Sequence, residues 1–380
     1  MTGDNEKRFS GVYEQRLWGS RESASGPGSE RAAPTVLLAL HVLDTVIREH
    51  GIRSMADIPC GDFNWMPELL AAHPDVTYVG YDVVPALIRD NRLSHPTHEF
   101  RLLDITLARD FDRSRTIFLT YAKALEGGAG TALAAAELSQ DGARLENLRD
   151  LFTMSRGSAA GQHFGSRVVE ARDGTLFVTV GERGDRPAAQ DLAQHNGSVV
   201  RVNRDGTVPA DNPFVGRDDV LPEIWSYGHR NPQGAALDLK GNLWVSEHGA
   251  RGGDEVNAVH KGANYGWPVI SYGRHYSGAK IGEGTAKEGM EQPAFYWDPS
   301  IAPSGLLVYS GKMFPDWRGD IFVGSLKFNY IARLKGDPLA EVAQISAPAT
   351  ARVRDIIEAP DGAIWFISVG NGAVYRISND

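Results

Sequence analysis

The sequence predicts a mainly β chain, a β-propeller, led by an α/β segment of about a hundred residues. Three observations carry this. Glycine use changes along the chain: the first 113 residues hold 8 of the 42 Gly, and the remaining 267 hold 34. Helical and strand periods alternate before residue 106, whereas short strand runs with glycine turns dominate after it. One unit also recurs four times in the glycine-rich part: Asp173-Gly174-Thr175-Leu176-Phe177-Val178, Lys240-Gly241-Asn242-Leu243-Trp244-Val245, Arg318-Gly319-Asp320-Ile321-Phe322-Val323 and Asp361-Gly362-Ala363-Ile364-Trp365-Phe366. Each is a polar–glycine turn feeding an apolar strand. The units lie 67, 78 and 43 residues apart, which suits blades of about forty residues with long inserted loops. A sandwich is the other all-β option, and recurrence of one unit favours the propeller.

The elements of the first part follow in order. Residues 33–50 read as an amphipathic helix: Val36-Leu37-Leu38-Ala39-Leu40 continues through His41 and Asp44 at helical spacing, so the run is no membrane span. Residues 54–58 read as a strand ending in Pro59-Cys60-Gly61-Asp62, residues 78–82 as a second strand, 85–93 as a helix and 100–105 as a third strand. Alternation of this kind implies βαβ units on a parallel sheet, here half of a Rossmann-like one. The expected boundary lies at residues 106/107.

Composition excludes several functions. A net charge of −9 argues against nucleic acid or anionic membrane as a general partner. The single cysteine, Cys60, can form neither an internal disulfide nor a CxxC metal site. The first twenty residues are charged and lack the apolar centre of a secretory signal, so the chain as written is expected to carry no export address.

In the first part, Gly61 after a strand and Asp82 about twenty residues on have a cofactor logic: close backbone approach, and an acceptor for ribose hydroxyls. A tight turn with a solvated acid explains them equally. The run Tyr13-Glu14, Leu17-Trp18-Gly19-Ser20, Glu22-Ser23 and Ser25-Gly26-Pro27-Gly28, then residues 57–65, Gly80-Tyr81-Asp82 and Leu103-Asp104-Ile105-Thr106, resembles a class I S-adenosylmethionine-dependent methyltransferase over residues 8–106. That resemblance implies Gly61 at the methionine end, Asp82 at the ribose and Asp104 at the adenine. The later strands of that family's sheet are not seen.

From Leu102 to about Ser378 a second resemblance takes over. The segments Gly161-Gln162-His163-Phe164-Gly165-Ser166-Arg167, Tyr227-Gly228-His229-Arg230-Asn231-Pro232-Gln233-Gly234, residues 246–257 and Lys261-Gly262-Ala263-Asn264-Tyr265-Gly266-Trp267-Pro268 resemble the soluble pyrroloquinoline quinone (PQQ)-dependent aldose sugar dehydrogenases. The resemblance implies a six-bladed β-propeller, here without its first blade, and oxidation of an aldose at its anomeric carbon with PQQ and Ca2+ as cofactors. An external electron acceptor is then the second partner.

The residue chemistry agrees with that implication. PQQ carries three carboxylates, and arginine binds carboxylate bidentately while staying charged. Arg230, Lys327, Arg352 and Arg354 supply cations, the last two alternating around Val353 on a strand-like stretch and so expected on one side. By resemblance, Arg230, Asn231, Tyr276, Ser325, Leu326, Lys327, Arg352, Val353 and Arg354 contact PQQ. His163 is the expected general base, since imidazole titrates near working pH, and Arg230 would stabilise charge developing on the quinone oxygen. Calcium takes several oxygen ligands, including carbonyls that glycine-rich loops expose. The resemblance assigns Glu255 and the Tyr265 carbonyl to one calcium, and the Gly249 and Ala250 carbonyls to another.

Where the family carries a glutamine contact to PQQ, this chain reads Glu99-Phe100-Arg101. The two resemblances meet at a shared Leu-Asp-Ile-Thr stretch, so the chain reads as a fusion of two truncated proteins, with an open ring. Three functions follow: a quinoprotein sugar dehydrogenase first, a methyltransferase second, and a non-catalytic binding propeller third.

Overall fold

Pro34 has a fixed φ suited to a first helical turn and Gly51 a left-handed φ of 60°, and between them runs helix α1, Pro34–His50. The computed structural model describes residues 30–379 except 58, 59, 61, 83–90, 92, 93, 96, 98, 143 and 372. The chain divides into two units, Met1–Leu103 and Asp104–Asp380.

In the first unit, α1 packs Leu40, Leu43 and Ile47 against Met66, Leu69 and Leu70 of α2 (Met66–Ala72), with Phe63 and Tyr78 completing the cluster. Strands β1 (Ser54–Asp57), β2 (Thr77–Asp82) and β3 (Glu99–Leu107) run parallel, with Ser54 opposite Thr77 and Val79 opposite Glu99. The helix expected over 85–93 and the motif over 13–28 lie outside the described residues, as does Gly61. The Rossmann-like reading is not supported. Three parallel strands with β1 at the edge make one side of such a sheet, and the cofactor crevice needs strands on both sides of the switch point. No helix among the described residues is long and apolar enough to cross a membrane.

The second unit is built from antiparallel sheets that form the five blades of a β-propeller. Blade 1 is β4 (Thr116–Leu125), β5 (Gly128–Leu138) and β6 (Leu145–Thr153). Blade 2 is β7 (Gly165–Glu170), β8 (Leu176–Val180), β9 (Ser198–Val202) and β10 (Ile224–Tyr227). Blade 3 is β11 (Pro232–Leu237), β12 (Leu243–Glu247), β13 (Asp254–Val259) and β14 (Phe295–Trp297). Blade 4 is β15 (Pro303–Val308), β16 (Ile321–Ser325), β17 (Ile331–Lys335) and β18 (Ala340–Ile345). Blade 5 is β19 (Val353–Glu358), β20 (Ile364–Ser368) and β21 (Ala373–Ile377). The full six-bladed ring is not supported: five blades are seen, the number that such a ring without its first blade leaves. Among the described residues before Asp104, the strands pair in parallel and form no further antiparallel sheet.

The four recurring turns sit at one topological place, between the first and second strands of blades 2, 3, 4 and 5. Gly241 shows why glycine is needed there, with a φ of 97° that side chains rarely adopt. In blades 2 and 4 the second strand is a continuous apolar run with both faces covered: every residue of Leu176–Val180 and of Ile321–Ser325 is buried.

Cores lie between successive blades. Phe118, Leu133 and Ala135 meet Val168, Val178 and Val200. Phe177 and Val199 meet Ala235 and Val245. Val256 and Trp297 meet Leu306 and Val323, and Phe322 and Ile331 meet Ile356, Ile364 and Phe366. The far face of blade 5 is different. There Ile357, Trp365, Ile367 and Val374 are 37–58% exposed, while their strand neighbours Ile356, Ile364 and Phe366 are at most 4% exposed.

Candidate functional site

The first strand of a blade and its antiparallel second strand bring the start of one beside the end of the other. Thus Gly165 pairs with Val180, Pro232 with Glu247, Pro303 with Ser325 and Val353 with Ser368. The residues just before β7, β11 and β19, and those just after β8, β12 and β16, therefore gather on one rim. That rim holds His163, Arg230, Asn231 and Arg352 from the first group, and Glu182, His248, Gly249, Leu326 and Lys327 from the second.

His163 lies in the loop between β6 and β7 with a left-handed φ of 56°. Its Nδ1 hydrogen-bonds the Glu182 carboxylate, leaving Nε2 free for other partners. The backbone at Gly181 passes so close that a Cβ there would sit 2.1 Å from the His163 carbonyl oxygen. Burial first, and then the Arg230 cation and His248, hold the His163 imidazole down to about 4 against the pull of Glu182. The imidazole is neutral at neutral pH.

Arg230 and Asn231 follow His229 in the link from β10 to β11. The Arg230 N–H donates to Glu247 (2.8 Å), and its Nη1 donates to the His248 carbonyl (3.0 Å). Its guanidinium lies 5.3 Å from the Trp267 ring centre. Asn231 accepts from the Gly165 N–H at 3.2 Å, tying β11 to the strand that follows His163. Burial, Arg230 and Arg354 depress the His248 imidazole while Asp254 opposes them, so Arg230 and Arg354 act on the same group.

The remaining cations are spread more widely. Arg352 precedes β19 with a φ of 50°, and its Nη1 donates to the Leu326 carbonyl at 3.4 Å. The register of β19 slips between Val353 and Asp355, at Arg354. Arg352 thus lies outside the strand and Arg354 in its bulge. Ser325 is buried, its hydroxyl donating to the Ile301 carbonyl and accepting from the Phe328 N–H, while Lys327 is exposed beside the Phe328 ring. Tyr276 is 41% exposed next to His275, which pairs with Arg186 at 2.9 Å. Arg186 in turn lies 5.7 Å from the same Trp267 ring.

A small cavity of about 10 Å3 joins Arg230, Glu247, His248, Gly249, Glu255, Tyr265 and Trp267. Its lining includes Glu255 and Tyr265, expected at one calcium, and Gly249, expected at another, with Ala250 buried beside Gly249. Burial, with Glu247 and Asp254 nearby, pushes the Glu255 carboxyl up to about 8 while Asn257 donates to it. No Lys or Arg among the described residues pairs with it. The Tyr265 ring stacks on His229 at 4.5 Å, and His229 bridges Ser226 and Glu247.

Glu182, His248 and Trp267 were not singled out from sequence as site residues. A signal existed for Glu182: an apolar strand running into Gly181-Glu182-Arg183-Gly184 is a glycine-flanked strand end like those that carry the other site residues. Asp104, expected at an adenine, instead accepts from Arg167 at 3.1 Å within the propeller unit. The side chain of Asp82 lies outside the description.

The model of the glucose/sorbosone dehydrogenase family matches residues 96–376. The aldose sugar dehydrogenase YliI of Escherichia coli (strain K12) is 42% identical over 284 residues, covering 73% of this chain and 76% of that protein. Quinoprotein glucose dehydrogenase B of Acinetobacter calcoaceticus is 28% identical over 281 residues, covering 54% of this chain and 58% of that protein. Among solved structures, a glucose dehydrogenase superposes with a TM-score of 0.71 at 40% identity, covering 73% of this chain and 83% of its own. The family match begins at residue 96, and the methyltransferase resemblance of residues 8–106 finds no support. The chain belongs to the glucose/sorbosone dehydrogenase family.

Proposed function

We propose that this chain is a PQQ- and calcium-dependent aldose sugar dehydrogenase that converts the anomeric carbon of an aldose to a lactone. The observation that carries the reading is the neutral, half-buried His163 imidazole, oriented by Glu182 and set beside the Arg230 cation.

The residues fit both cofactors. The buried Arg230 Nε and Trp267 Nε1 have no partner among the described residues, and so suit an acceptor-rich ligand placed on the rim. Glu255 is a half-buried carboxylate held high by desolvation and by Glu247 and Asp254, and a carboxylate of that kind suits a calcium ligand. No three His, Cys, Asp or Glu side chains among the described residues converge as a metal cluster, so most oxygens around such an ion would be backbone carbonyls. Arg230, Asn231, Lys327, Arg352 and Arg354 would hold the PQQ carboxylates and quinone edge, with Tyr276, Ser325, Leu326 and Val353 around them. Glu255, Tyr265, Gly249 and Ala250 would hold calcium. PQQ, when bound, supplies the acceptor for the hydride.

The chain's own work is proton handling and positioning. Glu182 takes the Nδ1 proton in a hydrogen bond, so Nε2 presents its lone pair and accepts the proton of the sugar's anomeric hydroxyl. The cation so formed on His163 is steadied by the adjacent carboxylate. Arg230 is fixed from both ends by Glu247 and the His248 carbonyl, and so offers its remaining donors without reorganising.

Calorimetric titration tests the cofactor half of the reading. The expected outcome is tight PQQ binding that needs calcium, with Glu255→Gln weakening the calcium step at least about tenfold. PQQ binding that is unchanged by chelation and by Glu255→Gln would overturn it.

A further inference from the structure

Residue 183 is an arginine with nothing obvious to do. It is fully buried, it has a left-handed φ of 58°, and it forms no salt bridge among the described residues. Burial pushes its guanidinium down to about 9 in spite of the neighbouring Glu182 carboxylate. A cation in such a place is costly and is satisfied here only by backbone oxygens. Nη1 donates to the Gln162 carbonyl, and Nη2 donates to the carbonyls of Ala160 (2.7 Å) and Ala129 (3.2 Å). The planar group also lies 3.3 Å from the centre of the Phe164 ring. Two of the three carbonyls and that ring belong to residues 160–164, the loop that carries His163, and the third carbonyl belongs to β5. The Arg183 carbonyl accepts from Ser158 at 2.9 Å, and that hydroxyl accepts from the Ala160 N–H at 3.1 Å. The same short segment thus holds His163 twice.

We propose that Arg183 is a positioning residue for His163: its guanidinium clamps residues 160–164 to β5 and keeps the His163 backbone left-handed, while Glu182, its neighbour, orients the ring. Glu182 cannot do this alone. It fixes one ring nitrogen, but the main chain at His163 is in a conformation that costs about 1–2 kcal/mol and reverts unless the surroundings hold it. One flat fork reaching three carbonyls suits that task, and a lysine ammonium would not span them. The inference rests on reading His163 as the base.

The test uses the His163 titration, followed by NMR in full-length protein labelled with 15N-histidine, without cofactor or sugar. The His163→Gln variant assigns the signal. In the parent, Glu182, Arg230 and His248 face the imidazole, and it titrates near 4. In Arg183→Lys, and in Arg183→Ala, a released loop lets water reach the ring. His163 is then expected to titrate at roughly 5.5 or above, toward the ordinary value near 6.5. Millimolar guanidinium added to Arg183→Ala is expected to move it back. With cofactors supplied, kcat falls about 10- to 100-fold in Arg183→Lys while KM for the sugar changes little. If the alanine variant does not fold, the lysine variant decides alone. A His163 titration equal to the parent's in a folded Arg183 variant overturns the proposal even if the melting temperature drops. Because the titration needs no turnover, the clamp and the sugar-oxidation reading fail separately.

Discussion

His163 illustrates how much a single side chain owes to its neighbours. Free histidine would be partly protonated at pH 6, whereas here burial and Arg230 keep it neutral down to about 4. The activity of the loaded enzyme should accordingly persist well below pH 6, with the acid limb of kcat/KM near 4, read from a pH–rate profile. Glu182 opposes that depression. Glu182→Gln should therefore lower the His163 titration further, not raise it, and reduce kcat roughly 10- to 100-fold through lost orientation. Stability follows the same sign. The unfolded chain binds the His163 proton below about 6.5 and the fold does not until about 4, so this residue makes the fold less stable as pH falls through that window. His163 was picked out by the residues around it, Gln162 and Phe164-Gly165-Ser166-Arg167, and the structure sets it against Glu182 and Arg230. Arg183 was not, because a lone arginine in a sequence is ordinarily a surface charge, and only the carbonyls of three separated residues reveal its use.

At the scale of elements, the recurring turns were legible because a polar–glycine turn into an apolar run is a local pattern. They mark the second strand of four blades and miss blade 1, whose β4–β5 turn reads Glu126-Gly127-Gly128 instead. Gly241→Ala should cost about 1 kcal/mol, measured by denaturant unfolding, because alanine must adopt the φ of 97° seen there. The backbone at Arg352–Arg354 departs from the plain strand that period-two reasoning assumes, for an equally local reason. A bulge and a left-handed residue interrupt alternation, and neither leaves a trace in residue types alone. The rim that gathers the site was also out of reach of sequence, since it follows from strand pairing over distances such as Pro232 to Glu247.

For the propeller unit as a whole, one arginine spans several blades. Arg167 on β7 donates to Asp104 (3.1 Å), to Asp355 of blade 5 (2.9 Å) and to the Gln233 carbonyl of blade 3 (3.3 Å). One cation thus faces two carboxylates. Burial outweighs its help at Asp104, whose carboxyl is raised to about 6. The protonated form stabilises the fold fully below about 4, and that contribution, about 3 kcal/mol at most, is lost as pH rises through 6. Arg167→Met should cost roughly 3–5 kcal/mol at pH 8, and less at pH 5 where Asp104 takes up a proton, as measured by urea unfolding at both values. Blade 5 offers a contrast between its faces. Phe366→Ala should cost about 3–5 kcal/mol, whereas Ile367→Thr on the exposed face should cost under about 1 kcal/mol in the same measurement. The propeller class was readable from glycine turns and apolar runs. The blade count was not readable from the turns, because they mark only four of the five blades and blade 1 lacks the recurring unit.

The central claim is that this chain oxidises aldoses with His163 as the base, and dye-linked oxidation of glucose by protein reconstituted with PQQ and calcium tests it most directly. The expected result is one lactone formed per two electrons delivered to the dye, with kcat reduced about 10²- to 10⁴-fold in His163→Gln while PQQ still binds. No lactone from protein with PQQ demonstrably bound, or equal turnover by the parent and His163→Gln, would contradict it.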